Sequence, residues 1–188
     1  MILENDKAIV RALGQGKPSE IVANEWVHCL ISTPAKGEQA ETLTLDDVPN
    51  QKVSVPLSFW NENKQALLER EHEVAVQLAA ADFAENIEAD LEDVKTIILP
   101  FESFVDGRSY SHAYLLRTRY QFKGEIRAVG DVHYDLLNFL ARCGVDAFEL
   151  PAGEDLEAAC QAFEIFSETY QPSADGGRLI FSRRRAMH

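Results

Sequence analysis

The chain has 188 residues, 46% hydrophobic and 26% charged, a globular composition sized for one domain with a real core, alone or with a small extension. Its 31 acidic and 18 basic residues give a net charge of -13, which argues against nucleic acid or an anionic membrane as a partner. No apolar run approaches the roughly 18 residues of a membrane span, and "MILENDKAIV" lacks the basic start and apolar stretch of a secretory leader, so the expected location is cytoplasmic.

Residues 1–52 read as a β-rich N-terminal extension and a loop. "KAIV" and "EIVANEWVHCLI" are short apolar pieces split by the turn chemistry of "GQGKPS", and "STPAKGEQAETLTLDDVPNQK" is polar with two prolines. From residue 53 an alternation begins that defines a core domain over 53–172. "VSVPL" is a strand and "SFWNENKQALLERE" a helix with Ser58 as N-cap. "EVAVQLA" is a strand. "DFAENIEADLEDV" is a helix opened by Asp82, with Phe83, Ile87 and Leu91 at spacing four. "KTIILPF" is a continuous apolar run, as a strand buried on both faces should be. "SYSHAYLLRTRYQ" is a helix, "GEIRAVGD" a strand, "VHYDLLNFLARCG" a helix ended by Gly144, and "DAFELP" a strand. The last long helix is "EDLEAACQAFEIFSETY", striped by Leu156, Cys160, Phe163 and Phe166. Residues 173–188 add a strand, "GRLIFS", and a basic tail with "RRR" at 183–185, a solvated end or a docking peptide for an acidic partner.

Successive strand–helix pairs predict an α/β fold, with a mainly parallel sheet of about five strands and right-handed crossovers. An open layered sheet with helices on both faces is preferred, because only about five β/α units fit where a closed barrel needs eight; a partial barrel is the alternative. "KTIILPF" and "EIRAV" should be adjacent, parallel and central.

Ligands of parallel sheets bind at the carboxyl ends of the strands. "DGR" at 106–108, "GD" at 130–131 and "PAGED" at 151–155 follow three predicted strands, so these loops open on one edge. The candidate functional edge comprises Asp106, Gly107, Arg108, Tyr110, Ser111, Arg127, Gly130, Asp131, His133 and Asp135, with Glu154 or Asp155 beside it. Arginine grips an oxyanion in a bidentate way and stays charged, and the helix starting near Ser109 points its N–H groups at the same place. Each piece also has a plainer use. Asp106-Gly107 is a turn dipeptide, while Asp131 and Asp155 suit helix caps. Arg127, unusual inside a strand, pairs with Glu125, Asp131 or Asp135 in a structural network on that reading.

Cys29, Cys143 and Cys160 are far apart, form no CxxC, and suit reduced packing roles. "GQG" at 14–16 precedes no dinucleotide fold, and no GxxxxGK[ST], GxSxG or HExxH is present. No cofactor and no metal is expected.

"DGRSYSHAYLLR" followed by "KGEIRAVGDVHYDLLNFLARCGVDAFEL" resembles the bacterial domain-of-unknown-function 934 family. The match runs through Asp106, Gly107, Arg108, Tyr110, Ser111, Leu115, Leu116 and Arg117. It resumes at Gly124, Glu125, Arg127, Ala128, Gly130, Asp131 and Asp135, and again at Arg142, Cys143, Gly144, Asp146 and Phe148. Ser109 stands where the family has glycine, and Leu136 where it has glutamine. The family is typically encoded beside assimilatory sulfite reductase and is often labelled a probable oxidoreductase of sulfite reduction. The resemblance therefore implies sulfur assimilation as the pathway and no particular reaction.

Three roles follow as expectations. The first is an accessory protein acting with sulfite reductase or another sulfur-assimilation enzyme, without a redox centre of its own. The second is a small enzyme, an oxidoreductase among the options, acting on an anionic sulfur metabolite held by Arg108 and Arg127, with Asp131 or His133 moving protons. The third, and weakest, is a Mg²⁺ enzyme using Asp106, Asp131 and Glu154.

Overall fold

The computed structural model describes residues 2–3, 8–12, 19–29, 43–103, 105–164 and 172–174. "GQG" at 14–16, Phe166, "GRLIFS" and "RRR" lie outside the described residues.

Among the described residues, nine strands form one sheet. In chain order they are β1 (Ile2–Leu3), β2 (Ala8–Ala12), β3 (Ser19–Ala23), β4 (Val27–Cys29), β5 (Val53–Pro56), β6 (Val74–Gln77), β7 (Thr96–Phe101), β8 (Glu125–Gly130) and β9 (Ala147–Phe148). Their order across the sheet is β1-β4-β5-β6-β7-β8-β9-β2-β3. The strands from β4 to β9 run parallel, while β1, β2 and β3 pair antiparallel at the two ends. The expected pairing of "KTIILPF" with "EIRAV" is present: Thr96 to Phe101 faces Glu125 to Gly130 in parallel register at the centre of the sheet. The expected count of about five strands is too low. The five runs after residue 53 are all strands, and the short apolar pieces of the first fifty residues join the same sheet.

The preferred open sheet with helices on both faces is also corrected. His28 on β4 and Glu149, just after β9, lie five inter-strand steps apart. A flat sheet would hold them roughly 24 Å apart. Their side chains instead meet at 3.0 Å. The sheet therefore curls strongly into a partial barrel.

Period-two alternation divides the strand residues between the two faces of this curl. Val53, Val55, Val74, Val76, Ile97, Leu99, Ile126, Ala128 and Phe148 pack outward against the buried faces of the four described α-helices. These helices are α1 (Leu57–Leu68), α2 (Arg108–Thr118), α3 (Leu137–Cys143) and α4 (Leu156–Ala162). The intervening residues, Ser54, Ala75, Gln77, Thr96, Ile98, Arg127, Val129 and Glu149, face the concave side. There Trp26, Ala75, Ile98 and Val129 make a second, small apolar cluster. "KTIILPF" is buried on both faces as expected, but the far side of Ile98 is covered by Trp26 rather than by a helix.

Helix boundaries show where local chemistry overrides periodicity. α1 begins at Leu57 after Pro56, so Ser58 is an exposed first-turn residue and not the cap. Residues Ala84–Asp90 are a 3-10 helix rather than an α-helix. Asp82 accepts a hydrogen bond from the Ala79 N–H at 2.8 Å, which closes a turn instead of opening a helix. With about three residues per turn, Ala84 and Ile87 are buried while Phe83 is exposed, and the spacing-four stripe is broken. Gly144 ends α3 with φ +109°, the left-handed conformation expected of a C-cap glycine. Asp155 caps α4, accepting from the N–H groups of Glu157 (3.0 Å) and Ala158 (3.1 Å). Cys29 and Cys143 are buried and Cys160 is half-buried; all three are free thiols.

Candidate functional site

The residues of the predicted edge divide into three groups. In the β7–α2 connection, Asp106 and Arg108 form a bidentate pair, with Nε donating to Oδ1 at 3.0 Å and Nη2 to Oδ2 at 2.7 Å. Asp106 Oδ1 also accepts from the Arg108 N–H at 3.1 Å, so the carboxylate closes a turn at the start of α2, where Gly107 supplies no side-chain cap. Hydrogen bonds from Arg108 hold the Asp106 carboxyl down at about 2. A depressed carboxyl pKa stabilises the fold at pH values above the unfolded carboxyl range, and the contribution is lost only as pH falls through about 2. The Arg108 side chain is 61% exposed. Replacing Arg108 with alanine is therefore expected to leave stability almost unchanged, read as an unshifted thermal melt. A large drop would assign this pair a bracing role.

The second group follows β8. Gly130 has φ +97°, and a Cβ there would run into the Phe101 carbonyl of the neighbouring strand. Only glycine fits this close approach. It directs the chain so that the Asp131 N–H donates to Phe101 O at 2.8 Å. His133 then bridges two carboxylates, Nε2 to Asp131 at 2.7 Å and Nδ1 to Glu154 at 3.2 Å. The hydrogen bonds to Glu154 and Asp131 push the His133 pKa up, favouring the imidazolium, which donates from both nitrogens. Tyr110 joins the groups from α2. Its ring lies between Phe101, edge to face at 5.2 Å, and Phe139, tilted at 5.4 Å, and desolvation raises its hydroxyl pKa. Ser111 and Asp135 are exposed.

Arg127 forms the third group and lies on the concave face, 2% exposed. Its guanidinium donates to Glu125 Oε1 (2.6 and 3.0 Å), Glu149 Oε1 (3.1 Å) and Asn24 Oδ1 (3.1 Å), and sits over the Trp26 ring at 5.6 Å. Of the carboxylates near it in sequence, Glu125 is a partner. Glu149 also contacts His28 Nε2 at 3.0 Å, and His28 Nδ1 reaches Ser54 Oγ at 2.5 Å. Ser54 Oγ in turn accepts from Gln77 Nε2 at 2.7 Å. A polar chain thus crosses the concave side from β6 to β9.

His28, Ser54, Gln77 and Glu149 escaped the sequence reading because they are scattered along the chain. The available signal was the polar residues on the inward side of otherwise apolar strands: "VSVP", "VAVQ", "EIRAV" and "AFEL". The arrangement Ser54–His28–Glu149 joins the residue types of a nucleophilic triad. Ser54 is wholly buried, however, and the chain holds β4, β5 and β9 together across the curl.

Among the described residues, no group of three or more His, Cys, Asp or Glu is arranged to hold a metal ion. None of the described helices is long and apolar enough to cross a membrane. Asp131 and Glu154, two acids of the Mg²⁺ reading, are both engaged by His133, and Asp106 by Arg108.

No curated protein and no solved structure matches the chain. Residues 75–181 match the family described as "Bacterial protein of unknown function (DUF934)". This span runs from β6 past α4 and takes in the edge loops, Gly130, Arg127 and Glu149. The chain belongs to the DUF934 family.

Proposed function

We propose that this protein is an accessory protein of assimilatory sulfite reduction, acting with sulfite reductase and without a redox centre of its own. The pathway comes from the family resemblance. The choice of an accessory role over an enzyme of sulfur oxyanions rests on one observation: both candidate anion-binding arginines are already held by carboxylates. Arg108 is paired with Asp106, and Arg127 with Glu125 and Glu149. A sulfite ion would have to displace a bidentate, charge-assisted partner at the first and enter a closed, acid-lined interior at the second. His133 is likewise flanked by two carboxylates, which repel an oxyanion.

A deletion strain tests the reading by growth on sulfate, sulfite or sulfide as the sole sulfur source. Poor growth on sulfate and sulfite with normal growth on sulfide is expected. Equal growth on all three would remove the protein from sulfite reduction.

A further inference from the structure

We infer that the carboxyl edge around the start of α2 is a protein-docking surface for a partner presenting an apolar pocket ringed by lysine and arginine. The inference rests on the accessory role proposed above and names the surface that would carry it. Three consecutive connections leave the carboxyl ends of β6, β7 and β8, and each carries a large apolar side chain into solvent. These are Phe83 (66% exposed), Val105 (75%) and Tyr134 (39%), with Phe139 (52%) on the adjoining turn of α3.

Contacts through α2 join them into one region. The 3-10 helix Ala84–Asp90, next to Phe83, packs against α2, and the Asp106–Arg108 pair at the start of α2 sits beside Val105. On the other flank the Tyr110 ring meets Phe139, tilted, at 5.4 Å, and α2 packs on α3, which itself contacts the turn Tyr134–Leu136. Scattered exposed apolar residues need no explanation, but a cluster of them within a charged surround is the usual anatomy of an interface.

Charge selects the occupant. The surround is acidic, with Asp82, Asp106, Asp131, Asp135 and Glu154 against Arg108 and His133, on a chain of net charge -13. A second copy of this chain would set acids against acids, and nucleic acid or an anionic membrane would be repelled. A protein with a basic rim is what remains.

The test uses purified full-length protein and assimilatory sulfite reductase, with affinity measured by calorimetry at two salt concentrations. Wild type is expected to bind, more weakly at higher salt. Phe83→Asp with Val105→Asp should weaken binding by about tenfold or more, the scale of interface anchors, with an unchanged thermal melt because both side chains are exposed. Arg108→Ala, which adds net negative charge to the same edge, should retain binding. If wild type binds and the double variant binds equally well, this surface is overturned while the accessory role stands. If wild type does not bind the reductase, the inference falls, and the growth test alone decides whether the pathway reading survives.

Discussion

Arg127→Ala is expected to destabilise the protein by about 3–5 kcal/mol, the usual cost of removing one partner from a buried ion pair. A domain of this kind has roughly 5–15 kcal/mol in hand, so the variant should lose much of its margin. The cost arises from what is left behind. Glu149 would keep only the His28 and other side-chain contacts at its buried position, and Glu125 would lose two hydrogen bonds while keeping Arg11 at 2.9 Å. Trp26 would lose the cation stacked on its ring. A urea titration should show a lowered midpoint with little change in slope, the sign of lost stability rather than of an altered unfolded state. Pairing Arg127→Met with Glu149→Gln should cost less than Arg127→Ala alone, because no uncompensated charge remains at residue 149 and glutamine can still accept from His28. An Arg127→Ala protein that melts like wild type would show that the concave network is not a brace.

Strand positions after residue 53 were legible because each is a short apolar run bounded by turn residues, and consecutive parallel strands sit side by side. The curl was not. It depends on His28 meeting Glu149 across 121 positions of sequence, and no local pattern encodes that meeting. The clue lay in residues that periodicity analysis discounts, the single polar side chains inside otherwise apolar strands. A helix laid on that face would leave Arg127, Glu149 and Ser54 without partners. Among the described residues the helices therefore pack on one side only, and the sheet curls around its polar side. The helix at 82–94 was misread for a different reason. Its apolar residues fit spacing four, but Asp82 ties back to Ala79 and tightens the segment into three residues per turn. Of the candidate edge, the loops were found because they follow strand ends. Arg127 stands apart from them because a side chain inside a strand points off a face of the sheet and not along its edge.

Arg117, the last residue of the Leu-Leu-Arg motif of α2, is expected to be coupled energetically to Gly144. Its guanidinium fans out to four acceptors: Gly144 O (2.9 Å), Phe122 O (2.7 Å), Gly124 O (2.8 Å) and the Asp146 carboxylate. It thereby ties α2 to the entry of β8 and to the α3–β9 connection, and its cation also lies over the Phe122 ring. Arg117→Ala leaves three carbonyls and one carboxylate without this donor. Water reaches part of the site, since the Asp146 side chain is 41% exposed, so the expected loss is about 2–4 kcal/mol rather than the full penalty of a sealed site. Gly144 lies directly against the arginine stem: a Cβ there would overlap Arg117 Cγ, and the residue's φ of +109° is unfavourable for any side chain. Gly144→Ala should therefore incur about 1–2 kcal/mol of backbone strain plus whatever the displaced arginine loses. In an Arg117→Ala background Cγ is gone, and the backbone strain remains with only a mild contact to the Cβ of residue 117, 3.3 Å away. The two substitutions should then cost less together than the sum of each alone, by about 1–2 kcal/mol, well outside the few tenths over which independent sites add. Chemical denaturation of the four proteins in this cycle measures the coupling directly. Strict additivity would mean that the glycine serves only the turn, and that Arg117 holds its carbonyls whatever stands at position 144.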